Sequence, residues 1–155
     1  KQTEHPVAIR VPGGAVTHSD EKFDENYSEL NRFKMTHKGS KVAIVALGAF
    51  YGLGKQVAAL LKEKKGIDAT LINPRFITGL DEEMLESLKV DHEKVITLED
   101  GALEGGFGEK IARFYGDSDM KTLCFGIKKG LYDRYDYQQM AHDNELTPEQ
   151  IVDRV

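Results

Sequence analysis

Two carboxylates, Glu99 and Asp100, follow directly on the β-prone run 95–98 (Val-Ile-Thr-Leu). Paired carboxylates at a strand's end can work as acid and base or hold a cation. They can equally cap the turn that follows or pair across a subunit contact, and the residues alone leave these readings open. Arg75 comes just after Asn73 and Pro74 at the end of another such run. Its planar fork can grip a phosphate or a carboxylate; the structural alternative is an ion pair with Glu99 or Asp81. Two glycine clusters also stand out. Gly48, Gly52 and Gly54 precede Lys55, but a Walker loop would need Gly where Ala49 stands and Ser or Thr where Gln56 stands. A dinucleotide fingerprint fails at Val57. What remains is a tight strand-to-helix turn that needs small residues, with a helix N-terminus able to hold an anion. In the second cluster, Gly105 and Gly106 let a helix and a strand approach closely.

Other reactive side chains read as structural. Cys124 lies in a predicted strand and suits a small buried core position. The histidines at 5, 18, 37, 92 and 142 share no metal-ligand spacing. Tyr132, Asp133, Arg134, Tyr135, Asp136 and Tyr137 concentrate aromatics and charge in a loop, which reads as a rim or an interface. No nucleophile–base–orienter trio is visible.

The elements that position these residues follow from hydrophobic periodicity. The apolar run 42–47 predicts a strand covered on both faces. A helix over about 52–65 places Leu53, Val57, Leu60 and Leu61 on one face, with lysines near its end and Gly66 as its stop. Strands at 69–72, 94–98 and 121–125 alternate with a helix opening at Leu80 and Asp81 and another running to about Tyr115. Residues 30–37 alternate loosely, and Lys38-Gly39-Ser40 is expected to fold them back as a hairpin arm. Thr147, Pro148 and Gln150 open a last helix with a capping box. This order predicts an α/β three-layer domain with a mostly parallel central sheet and right-handed crossovers. Ligands of such sheets sit beyond the carboxyl ends of the strands.

Composition narrows the class. The 155 residues carry 21 Lys+Arg against 26 Asp+Glu, a net charge of -5, which disfavours a nucleic-acid or anionic-membrane surface. No apolar run approaches a membrane span. One cysteine forms no internal disulfide, in keeping with a reducing, cytoplasmic setting. The chain starts at Lys1 without Met, so it reads as a piece of a longer polypeptide.

Several ordered segments carry a family likeness. They are Asn73-Pro-Arg75-Phe through Leu80-Asp81, then Val95-Ile-Thr-Leu-Glu99-Asp100-Gly101, then Gly105-Gly106-Phe107-Gly108, and upstream Pro6-Val-Ala-Ile-Arg10-Val-Pro12-Gly-Gly14. Together they resemble the C-terminal domain of transketolase-like thiamine diphosphate enzymes, nearest to the 1-deoxy-D-xylulose-5-phosphate synthases. The likeness implies three parts: residues 1–14 as the last strand of a preceding pyrimidine-binding domain, 15–35 as a linker, and 36–155 as the C-terminal domain. It makes Arg10 and Arg75 the anion or substrate contacts, and Glu99, Asp100, Gly105, Gly106, Arg134 and Tyr135 the rim or interface. It implies a homodimeric parent that condenses pyruvate with glyceraldehyde 3-phosphate. Thiamine diphosphate and Mg²⁺ would be bound there by other domains. The chain alone is then non-catalytic, with no metal of its own.

Departures from the family pattern are specific. Gly13 stands where the family carries a second Arg that grips the substrate phosphate. Gly79 replaces a Pro, Asp100-Gly101 replaces Glu-Asn, and Arg134-Tyr135 stands where a His-Gly or Gln-Gly pair is common. These favour a relative acting on another sugar as one alternative. A free-standing α/β nucleotide- or anion-binding module built on Gly52 and Gly54 is the other.

Overall fold

A computed structural model of the chain describes residues 26–155, together with Pro6 and Ala8. Arg10 and Gly13 lie outside the described residues. Five strands form one sheet in the order β1-β3-β2-β4-β5. They are β1 (Lys34–His37), β2 (Lys41–Ala46), β3 (Thr70–Asn73), β4 (His92–Ala102) and β5 (Lys121–Ile127). Strands β2 to β5 run parallel and β1 is antiparallel to β3. The helices are α1 (Tyr51–Lys65), α2 (Glu82–Leu88), α3 (Phe107–Phe114), α4 (Tyr137–Asp143) and α5 (Pro148–Arg154).

The predicted α/β three-layer arrangement is what forms, and the sequence explains why. Residues 42–46 are buried throughout β2 because the strand sits at the centre with helices on both faces. Ile44, Ile96, Leu98 and Phe125 face α1 and α5, where Val57, Leu61, Ile151 and Val152 meet them. Val45, Ile72 and Val95 face α2 and α3, where Leu85, Leu88, Phe107 and Ile111 close the second cluster. Each such fully buried side chain contributes roughly 1.5–3 kcal/mol. Leu53 and Leu60 pack at the margin of the first cluster. Gly66 ends α1 with φ 65°, a left-handed cap that glycine adopts freely. The capping box at Thr147 and Gln150 opens α5 as its residues predict.

Three expectations are corrected. Residues 34–37 do not fold back on β2 as a hairpin: β3 inserts between them, and Met35 pairs with Ile72 instead. A four-residue strand has little local signal for its neighbour, and the exposed antiparallel edge of β3 offers the free ladder. The third predicted strand does not stop at Leu98 but continues as β4 to Ala102, so Glu99 and Asp100 belong to a strand. Helix α4 starts at Tyr137, the last residue of the stretch read as a loop; Met140 is the one residue of its seven that is buried, so the helix has little apolar pattern. Asp136 opens it by accepting the amide of Gln139 at 2.8 Å.

Candidate functional site

The carboxyl end of β3 carries Arg75, the end of β4 carries Glu99 and Asp100, and the segment after β5 carries Arg134 and Tyr135. Glu99 is the centre. Its side chain is buried at 3% exposure, and no cation among the described residues pairs with it. Oε2 accepts the Phe107 amide at 2.8 Å and Oε1 accepts the Gly108 amide at 2.9 Å. Both belong to the first turn of α3, whose orphan N–H groups and dipole favour a negative charge. Each oxygen thereby takes one of these amides, and the turn-capping alternative describes this residue.

The surrounding glycines are there because nothing larger fits. A Cβ on Gly106 would lie 2.5 Å from Glu99 Oε2 and 2.6 Å from the Ala102 carbonyl. One on Gly108 would meet Thr97 Oγ1 at 2.5 Å and Cys124 Sγ at 3.0 Å. A Cβ on Gly126, in β5, would lie 3.0 Å from Glu99 Cγ. Gly105 serves differently: it has open space but φ 72°. Asp100 points outward and is exposed. It does not join Glu99 as an acid–base pair.

Arg75 sits at the carboxyl end of β3 with φ 60°. Its backbone amide donates to Asn73 Oδ1 at 2.9 Å, an Asx turn that holds this unusual conformation. Its Nε donates to the Arg32 carbonyl at 2.9 Å, and its guanidinium lies 5.6 Å from the Tyr27 ring centre. The expected ion pair with Glu99 or Asp81 does not form. Glu99 is committed to α3, and Asp81 takes Arg32 at 3.2 Å.

Asp81 is the residue whose importance the sequence understates. It is buried at 6% exposure. It accepts the Phe33 amide at 2.9 Å and the Met84 amide at 3.2 Å, so one carboxylate caps α2 and fixes the entry to β1. Asp at the start of a helical pattern is the signal that finds the cap; the contact with Phe33, 48 residues earlier, has no local signal. Arg32 is held above the ordinary guanidinium value, first by its hydrogen bond to Glu83 and then by the charge of Asp81. Arg32, Arg75, Asp81 and Met84 line a shallow recess of about 550 Å³.

Cys124 is half-buried rather than fully buried. Burial pushes its thiol up, with the Glu99 and Glu109 carboxylates adding and the Thr97 hydroxyl opposing. That is the reverse of what a nucleophile needs. Gly48 turns with φ 57°, and a Cβ on Gly54 would lie 2.8 Å from the Ala46 Cβ. This first glycine cluster is a strand-to-helix turn with close packing, in line with its plain reading. Arg134, at φ 52°, and Tyr135 stand exposed in the segment between β5 and α4.

Comparison with known proteins gives this arrangement a family. The model for "Transketolase, C-terminal domain" matches residues 31–151. The chain belongs to the transketolase C-terminal domain family. A 1-deoxy-D-xylulose-5-phosphate synthase of Prochlorococcus marinus is 34% identical over 155 residues, covering 97% of this chain and 24% of the relative. The synthase of Alkaliphilus oremlandii (strain OhILAs) is 34% identical over 156 residues, with the same coverage of 97% and 24%. The chain thus spans 24% of the length of these curated relatives. Among solved structures, a split-gene transketolase described as an inactive beta4 tetramer aligns with TM-score 0.71 and 24% identity, over 81% of this chain and 41% of that one. A Pichia stipitis transketolase in complex with sedoheptulose 7-phosphate aligns with TM-score 0.54 and 18% identity, over 80% and 17%. These two likenesses speak for the fold.

No group of three His, Cys, Asp or Glu side chains among the described residues could hold a metal ion. Glu99, the buried carboxylate at this end of the sheet, already takes two amides. Among the described residues no helix is long and apolar enough to cross a membrane.

Proposed function

We propose that this chain is the C-terminal domain of a thiamine diphosphate-dependent transferase. In the parent, pyruvate condenses with glyceraldehyde 3-phosphate, as the likeness to the synthases implies. The observation that carries this is 34% identity along 97% of the chain to proteins about four times as long. The Glu99–Gly106–Gly108 cradle supports it, since the residues that bear the likeness also build one compact unit.

Thiamine diphosphate supplies the electron sink for breaking and making a bond next to a carbonyl. The described residues do not fit it or its Mg²⁺, so no step runs through it here. Cofactor binding falls to other domains of the same polypeptide, and this domain is non-catalytic. Arg10 and Arg75 remain the proposed anion contacts. Asp100, Arg134 and Tyr135 remain exposed and free to meet neighbouring domains, whereas Glu99, Gly105 and Gly106 shape the turn that opens α3. A cytoplasmic, homodimeric parent completes the reading.

The test is an assay of the full-length protein for thiamine diphosphate-dependent carbon dioxide release from pyruvate, with a panel of phosphorylated and free aldehydes. Release that requires both cofactor and a phosphorylated aldehyde is expected. Release with free aldehydes alone would favour another sugar acceptor, consistent with Gly13 in place of an Arg. Turnover by the 155-residue chain alone would sink the proposal.

A further inference from the structure

Strand β4 loses its register with β5 at one place. Leu98 pairs with Phe125 and Ala102 pairs with Ile127, so Glu99, Asp100 and Gly101 stand opposite Gly126 alone. Such a bulge leaves its extra residues outside the ladder. Pairing is regained just beyond, where the Leu103 amide donates to the Ile127 carbonyl at 2.9 Å. Two of the bulged residues form the one Asp-Gly pair of the sequence. The Asp100 side chain is exposed.

Gly101 differs from the glycines around it. Gly106, Gly108 and Gly126 are crowded, and Gly105 holds a left-handed φ of 72°. A Cβ on Gly101 would meet nothing nearer than Glu99 Oε2 at 3.9 Å, an ordinary contact, and its φ lies outside the left-handed region. Neither packing nor backbone conformation therefore calls for glycine at 101. What glycine leaves there is an amide nitrogen with no side chain beside it, next to a free carboxyl. An aspartyl residue cyclises on its own backbone most readily in that arrangement, because no Cβ blocks the approach and the chain is least restricted.

We propose that Asp100-Gly101 is a site of spontaneous isoaspartate formation, and that the change loosens the start of α3. The Gly101 nitrogen attacks Cγ of the protonated Asp100 carboxyl. An N–Cγ bond forms, the Cγ–OH bond breaks, and the amide proton leaves with the hydroxyl as water. The five-membered imide then takes up one water. Opening at the side-chain carbonyl restores aspartate, whereas opening at the backbone carbonyl leaves isoaspartate, with the chain running through Cγ. Nothing is oxidised or reduced, and the mass is unchanged. The product carries one extra backbone methylene immediately after Glu99, whose carboxylate holds the Phe107 and Gly108 amides. That carboxylate is closely surrounded, so a displaced backbone is felt at both amides.

The experiment holds the full-length protein at neutral pH for several weeks beside a free peptide spanning 97–103. Isoaspartate is read by methyl transfer from S-adenosylmethionine with a protein isoaspartate methyltransferase, and is located by electron-transfer fragmentation. It should accumulate at residue 100, through an imide lighter by one water. Asp117, exposed and followed by Ser118, is the internal reference and should age more slowly. Gly101→Ala should slow the change about tenfold with the urea midpoint unchanged. Asp100→Asn cyclises with ammonia as the leaving group and should convert faster than the wild type ages; it decides in place of Gly101→Ala should that variant fail to fold. Hydrogen exchange at Phe107 and Gly108 should quicken in the aged fraction. Absence of isoaspartate at 100 in the folded protein while the peptide ages overturns the proposal. So does ageing of Gly101→Ala at the wild-type rate, a stable Asp100→Asn, or faster change at Asp117. An aged fraction that exchanges at Phe107 and Gly108 like fresh protein overturns the link to α3.

Discussion

The carboxylate of Glu99 and the bare Cα of Gly106 fit each other so closely that a methyl group on Gly106 would stand 2.5 Å from Glu99 Oε2. The same carboxylate is what starts α3. A buried anion tolerated this way depends on both of its donors staying in place. Glu99→Ala should therefore cost about 3 kcal/mol, as two amides lose a charged partner. Gly106→Ala should cost a comparable amount, because backbone rather than a flexible tip obstructs its Cβ on one side. Glu99→Gln should fall between wild type and Ala. Urea unfolding reads these as a lowered midpoint with the slope unchanged. A Glu99→Ala variant as stable as wild type would remove the cradle from the account.

Asp81 predicts a different pattern, because it joins distant segments. Asp81→Ala removes a helix cap, the partner of the Phe33 amide and the partner of Arg32. A loss of about 2 kcal/mol is expected. Asp81→Asn keeps one acceptor oxygen and should recover part of it. Hydrogen exchange should quicken at Phe33 and Met84 together; quickening at Met84 alone would show that the carboxylate acts only as a cap.

Much of this is legible in the residues. The strand–helix alternation after Val42 follows from continuous apolar runs and their glycine stops, and α5 is written in Thr147, Pro148 and Gln150. Glu99 is legible as a position but not as a role, since a carboxylate before a glycine turn serves a cap or a reaction equally well. The neighbour of β1 is not legible, because four half-buried residues do not choose between two edges until β3 is present. Helix α4 is hidden for the same physical reason: one buried methionine in seven residues gives no period. The residue type presents Arg75 as a charge, whereas the structure uses its backbone conformation and its Nε–H as a donor to a backbone carbonyl.

Cys124 offers a test of pH dependence. Its thiol is raised by burial first and by the Glu99 and Glu109 carboxylates. A raised folded-state value means the neutral thiol is favoured in the fold. The stabilisation is then fully present below the ordinary thiol value of about 8.5 and is lost as pH rises through the raised one. Alkylation by iodoacetamide should accordingly stay slow at about pH 8 and accelerate above the range of a free thiol. Glu109→Gln should lower the midpoint of that profile. A midpoint below that of a free cysteine would contradict the structural assignment.

The amino end of the sheet holds another buried polar group, His92, and its hydrogen bonds make a sharp prediction. His92 Nε2 lies 2.7 Å from Thr70 Oγ1, which accepts the Gly39 amide at 2.9 Å. Nδ1 faces two acceptors, Asp91 Oδ1 at 2.6 Å and the Leu88 carbonyl at 3.1 Å, and so carries a proton; in the neutral ring Nε2 is then the acceptor, and the Thr70 hydroxyl donates to it. One imidazole thus links β3, the start of β4 and the end of α2. Thr70→Val removes the donor, and His92→Leu removes the acceptor. Each should destabilise, but the double variant should cost about 1 kcal/mol less than the sum, because the second change removes a partner already lost. Additive costs in a double-mutant cycle would mean that the two side chains merely pack. Nitrogen-15 spectra should report a protonated Nδ1 in the wild type, and a proton on Nε2 instead would reverse the assigned direction of the Thr70 bond.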